Sequence, residues 1–188
     1  MNGRESFKKY KLLIKILNNL FKFTPNFILE VLYSLLNNSD TKFSLLFRYL
    51  YIKKFAKSVG ENVYIGKYSV IKNLSGLEIG DNVSIHSYCY LDAAGGIYIG
   101  NNVSIANSTS IISFEHTWSK NEIPIKYNDV EKKEILISDD VWIGTGCRIL
   151  GGTNIASRSI IAAGAVVNKD TSSNSIYGGV PAKMIKKI

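Results

Sequence analysis

VWIGTGCRILGGTNIASRSIIAAGAVVNKD, residues 141–170, repeats every six residues. Ile143, Ile149, Ile155, Ile161 and Val167 open successive hexapeptides, and four residues after each comes Cys147, Thr153, Ser159, Ala165 or Thr171. An aliphatic residue and then a small one, both pointing inward, describe a short flat strand followed by a tight turn.

Upstream, the same register runs back through Val59, Ile65, Ile71, Ile79, Ile85, Leu91, Ile99, Ile105, Ile111 and Ile137. Three six-residue sides close a triangular coil, and stacked coils bury a continuous aliphatic core. The pattern predicts a mainly β chain of about five coils: 59–76, 79–96, 99–116, 137–154 and 155–172. The extra pairs Leu77-Glu78, Ile97-Tyr98 and Ile135-Leu136 are expected to bulge at coil corners. Ser75 is expected to point inward, and Cys89 and Cys147 fall on inward small positions, which makes them packing residues rather than redox or metal groups.

One break interrupts the period. Glu115 stands where a small residue belongs, and the rhythm resumes only at Ile137. A loop over 115–134 therefore leaves the scaffold, with His116 at its root. Long excursions from a regular scaffold tend to carry function.

Residues 1–58 read differently, as a helical region ahead of a β-helical domain over 59–188 with a C-terminal tail. Phe7, Tyr10, Leu13, Leu17 and Leu20 mark one helix face, and Lys8, Lys11, Lys15 and Lys22 another. Thr24 is read as the N-cap of a second helix, with Pro25 as its first residue and its end at Leu36; a third runs from about Phe43 to Lys57. This region holds 11 Lys/Arg against 3 Asp/Glu, so it carries the entire net charge of +8. No nucleic-acid motif accompanies the charge, and nucleic acid is not expected as a partner. The helices are expected to cap the open end of the coil and also to touch an anionic membrane peripherally, the four lysines facing lipid. The start MNGRESFKKYKLL has neither the apolar core nor the cleavage site of a signal peptide, so the expected location is the cytoplasm, at the inner face of the membrane.

The repeat, with VWIGTGCRILGGTNIASRSIIAAGAVVNKD and GGVPAK (178–183), resembles the hexapeptide-repeat acyltransferases, in particular their maltose, galactoside and polysaccharide O-acetyltransferase branch. The resemblance covers about residues 59–188. It implies a left-handed parallel β-helix, acetyl-CoA as co-substrate, a homotrimer, and active sites in grooves between subunits. It implies His116 as catalytic base, the Thr145 backbone N–H as oxyanion donor and Trp142 as a wall beside the histidine. His86, where relatives usually carry asparagine, and Asp92 are candidates for binding the acceptor. For CoA it implies Thr145, the small run Ala163, Gly164 and Ala165, and then Asn168, Lys169, Lys183 and Lys186. Either Glu115 or a backbone carbonyl would set the His116 tautomer.

The expected activity is acetyl-CoA-dependent O-acetylation of a sugar hydroxyl on a surface polysaccharide or its lipid-linked precursor. Two alternatives are N-acetylation of a nucleotide-linked amino sugar and a non-enzymatic β-helix binding module. No metal is expected: the zinc carbonic anhydrase on this type of scaffold needs three histidines, and the chain has His86 and His116 alone.

Overall fold

The computed structural model describes residues 3–188, so Met1 and Asn2 of the expected helical region lie outside the described residues. Three helices come first: α1 (Gly3–Phe23), α2 (Asn26–Leu36) and α3 (Lys42–Phe55). The chain then winds into a left-handed parallel β-helix with three flat faces. Val59, Ile79, Ile99, Ile137 and Ile155 stack in register on the first face. Ile65, Ile85, Ile105, Ile143 and Ile161 do so on the second, and Ile71, Leu91, Ile111, Ile149 and Val167 on the third. Most of these side chains are fully buried, each contributing roughly 1.5–3 kcal/mol relative to exposure. Cys89 and Cys147 lie among them as free thiols, each bonded to a backbone carbonyl of the next coil. Burial pushes the Cys89 thiol up to about 11.

Several expectations are corrected here. The pairs at 77–78, 97–98 and 135–136 do not bulge. They lengthen the first-face strands Leu77–Ile79, Ile97–Ile99 and Ile135–Ile137, which stay in register. Two residues make one full pleat, so Leu77, Ile97 and Ile135 simply join the core. Ser75 is exposed because Asn73 takes a left-handed conformation and begins a short 3₁₀ turn, which packs Leu74 on the core instead. The expected tail opens a sixth coil: Ser175–Gly178 pairs in parallel with Ser159–Ile161, and antiparallel Lys183–Lys187 then covers that edge. This coil escaped the repeat because Tyr177 stands in the aliphatic column, opposite Ile161.

The helices close the other end. N–H groups such as those of Gly60, Gly66 and Val70 donate to Ile79 O, Ile85 O and Cys89 O of the next coil, and the matching carbonyls of the first coil, Val59 O, Ile65 O and Ser69 O, have no coil above them. Side chains of the helical cap satisfy them. Tyr49 Oη donates to Gly60 O at 2.9 Å, Lys53 Nζ to Val59 O at 2.8 Å and Asn37 Nδ2 to Ser69 O at 3.2 Å. Arg48, fully buried, donates Nε to Ile65 O at 2.8 Å and Nη1 to Ser39 O and Leu36 O, while Nη2 meets Asp40 at 2.9 Å.

The helix details also shift from expectation. Pro25 itself is the N-cap of α2, and the Thr24 hydroxyl donates back to Leu20 O in α1. Thr41 caps α3, which ends at Phe55, and Lys57 already pairs with Leu77 O. On α1 the packed face is Phe7, Ile14, Leu17 and Phe21, whereas Tyr10, Leu13 and Leu20 are exposed. Lys11 turns toward the coil and pairs with Glu61 at 2.7 Å. Among the described residues, no helix is long and apolar enough to cross a membrane.

Candidate active site

The corners between faces carry the polar groups. At the second corner, between the second and third faces, the turn residues of successive coils are Gly66 to Tyr68, His86 to Tyr88, Ala106 to Ser108, Gly144 to Gly146 and Ala162 to Gly164. The first N–H of each turn pairs with the next coil: that of Gly144, for example, donates to Ile161 O at 2.8 Å. The middle N–H behaves differently. In the first coil, Lys67 donates it to the Asp40 carboxylate at 3.2 Å. Below, the N–H groups of Ser87, Asn107, Thr145 and Ala163 have no acceptor among the described residues. They form a column along the corner with the strand spacing of about 4.8 Å.

Thr145 is thus exposed with its N–H open, and its hydroxyl donates to Asn107 Oδ1 at 2.9 Å. Gly146 follows at φ 70°, and no other group comes near the place where its Cβ would be. Ala163 and Gly164 are exposed one coil below, but Ala165 turns into the core and lies outside any such groove. His86 is exposed at the same corner, its ring 5.6 Å from that of Tyr64.

His116 sits elsewhere, beyond the third face. Strand Phe114–His116 leaves the coil and pairs antiparallel with Val130–Lys132, His116 opposite Val130. Neighbouring strand residues point to opposite sides. Glu115 faces Lys133 and forms an ion pair at 2.8 Å; it is not the partner of His116. The exposed imidazole has no hydrogen-bond partner among the described residues. Asn128 organises the rest of the loop, accepting from Lys120 N at 2.9 Å and donating to Lys120 O and Ile123 O.

The remaining expected residues divide between these places. Asp92 lies at the third corner beside the loop root, only 5% exposed. Its carboxylate is held by Asn73 Nδ2 at 2.6 Å and Ala94 N at 3.3 Å, so its contacts hold the turn. Asn168 and Lys169 are exposed at the third corner of the fifth coil. Lys183 pairs opposite Gly178 near the second corner, whereas Lys186 lies opposite Ile176, farther along the second face. Trp142 projects from the second face, 53% exposed, and lines a concavity of about 310 Å³ with Ser104, Arg158 and Ile160. One chain therefore does not bring the histidine and the open N–H groups together. Among the described residues, no three His, Cys, Asp or Glu side chains are placed to hold a metal ion.

Sequence reasoning missed Tyr68 and Tyr88, which stack at the second corner, and Arg148, which spans it. The legible signal was tyrosine at a turn position otherwise filled by Ser or Gly.

Known proteins carry the same pattern. Residues 134–169 match the family model "Bacterial transferase hexapeptide (six repeats)". The WbbJ protein of Escherichia coli (strain K12), named as a candidate lipopolysaccharide biosynthesis O-acetyl transferase, is 35% identical over 77 residues, 40% of this chain and 39% of that protein. The curated relatives are matched over about a quarter to two-fifths of their length. Among solved structures, a hexapeptide-repeat acetyltransferase of Vibrio cholerae complexed with acetyl-CoA aligns with TM-score 0.75 and 26% identity, over 85% of this chain and 84% of that one. A galactoside acetyltransferase in complex with coenzyme A aligns with TM-score 0.76 and 28% identity, over 86% of this chain and 80% of that one.

Proposed function

For a chain that belongs to the hexapeptide-repeat acyltransferase family, we propose transfer of an acetyl group from acetyl-CoA to a sugar hydroxyl, in a site shared between copies of the chain. The observation that carries this reading is the division of labour between corners. Open N–H donors line the second corner and the one exposed histidine of the loop stands beyond the third. In the proposed assembly, a cyclic trimer with its coils parallel, the second corner of one copy lies against the third corner of the next.

The chemistry then needs few groups. The acceptor hydroxyl oxygen bonds to the acyl carbon while its proton passes to an imidazole nitrogen of His116. The carbonyl electron pair moves onto oxygen, where the Thr145 N–H receives it. Collapse of this adduct breaks the C–S bond, and the departing CoA sulfur takes the proton from the imidazolium. The pantetheine arm lies along the column beside Ala163 and Gly164, with Lys183, Lys169 and Lys186, drawn from neighbouring copies, toward the CoA phosphates. Mass spectrometry of candidate glycans after incubation with acetyl-CoA tests the reaction. Ester-linked acetyl that disappears with His116→Ala supports it; amide-linked acetyl points to N-acetylation, and no CoA binding at all to a non-enzymatic module.

The acceptor is proposed to be a surface polysaccharide or its lipid-linked precursor, reached at the cytoplasmic face of the membrane. Two things support this: the similarity to WbbJ and the outward face of α1. Leu12, Ile16, Leu20 and Phe23 are exposed there, away from the packed face and beside exposed Lys8, Lys15 and Lys22. An amphipathic helix of this kind lies in an anionic interface. Co-sedimentation with anionic but not neutral vesicles is the expected result, and equal recovery in both supernatants removes the membrane from the reading.

A further inference from the structure

The second corner changes character along its length. Its left-handed turn position holds Tyr68, Tyr88, Ser108, Gly146 and Gly164, at φ 58°, 63°, 60°, 70° and 71°. Glycine adopts this conformation freely, and a bulky aromatic residue is uncommon in it. Two tyrosines in succession hold it here, in the first two coils. Such outliers persist where something else requires them.

Their rings stack along the coil axis, centroids 5.1 Å apart and planes within 21°. Tyr68 and Tyr88 are 43% and 57% exposed. The ladder then stops. Ser108, the next rung, has a side chain of two heavy atoms, so the lower face of the Tyr88 ring looks onto a rung without a ring. Polar groups border that rung. Asn107 N–H is open. Arg148 reaches across the corner, donating Nη1 to Ser108 O at 3.1 Å and Gly146 O at 2.8 Å. Nη1 also donates to Cys147 O at 2.9 Å, and the Nη2 and Nε N–H groups have no acceptor among the described residues.

We propose that this rung is the acceptor subsite, and that it takes a pyranose ring stacked on Tyr88. The weakly positive C–H face of the sugar meets the negative face of the phenol ring. Arg148 and the Asn107 N–H take its hydroxyl groups. The inference rests on the acetyl-transfer reading above and adds a direction to it. The next rung, one coil spacing of about 4.8 Å further on, is Thr145, where the acyl carbonyl is assigned. A hydroxyl on the lower side of the sugar then comes within near-attack distance of the acyl carbon, about 3–3.5 Å. Large rings at the helical end and glycines at the other thus divide the groove into an acceptor half and a CoA half.

The test uses the full-length wild-type chain with Tyr88→Asn, which removes the ring yet keeps a residue suited to the left-handed turn, and Tyr88→Phe. Saturation-transfer NMR is run with methyl glycosides of glucose, galactose, mannose and N-acetylglucosamine, and with uridine and adenosine. CoA affinity is measured calorimetrically on the same samples. At least one glycoside should show saturation concentrated on one C–H face, with affinity reduced about tenfold in Tyr88→Asn, the loss of one aromatic contact. It should be kept within about twofold in Tyr88→Phe, with CoA affinity unchanged in both. Equal glycoside binding by Tyr88→Asn overturns the subsite while leaving acetyl transfer intact. Saturation of the nucleosides alone, or of no ligand, also overturns it. Wild-type protein that fails to bind CoA removes the acetyl-transfer reading and the subsite with it.

Discussion

The first and second corners of the coil are built from the same turn and treat the same backbone group in opposite ways. At the first corner the middle N–H of each of the first three turns is taken by a side chain of the coil below. Glu61 N donates to Asp81 Oδ1 at 2.6 Å, Asp81 N to Asn101 Oδ1 at 2.8 Å and Asn101 N to Asp139 Oδ1 at 2.7 Å. At the second corner the matching N–H groups of Ser87, Asn107, Thr145 and Ala163 stay open. Only one side chain there has the right reach, and Asn107 Oδ1 accepts the Thr145 hydroxyl instead. The upper turns of the first corner tie their donors into the coil, and the second corner leaves them open, which is what the proposed site requires. The exception at the second corner is instructive: Asp40, from the helical cap, takes the Lys67 N–H and so ends the open column at the first coil.

Substitutions that treat the corners alike should separate them. The largest effect is expected from His116→Ala, which removes the proposed base beyond the third corner. Turnover should fall by roughly 10²–10⁴, worth about 3–5 kcal/mol, with CoA affinity and Tm unchanged because the side chain is exposed. Thr145→Pro comes next. Proline suits the position ahead of a residue at positive φ, and the lost N–H has no partner in the chain, so the fold should stand while kcat drops about 10²–10³. Asn101→Pro is the matched change at the first corner. It breaks two rungs, each worth about 0.5–1.5 kcal/mol, and should lower Tm by several degrees while the folded fraction keeps its activity. Thermal melts beside steady-state kinetics read both. Lys183→Ala should have the smallest effect, about a three- to tenfold rise in KM for acetyl-CoA that shrinks at high salt, with acceptor KM unmoved.

Much of this architecture was legible in the residues. A period of six identifies every face of the coil, because inward aliphatic residues must stack for the core to be continuous. Glu115 at an inward position marked the loop, and the structure places His116 at its root. What escaped depends on groups the period does not encode. The open N–H of Thr145 is a backbone property, set by which neighbouring side chains reach it. Arg48 looked like one more cation of a basic helix, and its burial against four acceptors follows only from the edge it seals. Tyr88 stands one residue before the buried Cys89, and its left-handed backbone is invisible to a pattern of apolar and small residues. The face of α1 was misplaced for a related reason. The helix is apolar on two sides, and periodicity alone does not tell which side meets the coil.

Subunit complementation addresses the shared site most directly. His116→Ala and Thr145→Pro are each expected to lose most activity for different reasons, one at the third corner and one at the second. Unfolded together in equal amounts and reassembled, they should form, in the proposed trimer, mixed assemblies in which about a quarter of sites pair an intact histidine from one copy with an intact N–H from its neighbour. A site divided between copies predicts recovery of about that share of wild-type turnover, while each variant reassembled alone stays inactive. No recovery from properly assembled mixed trimers would contradict it and confine the whole site to one chain.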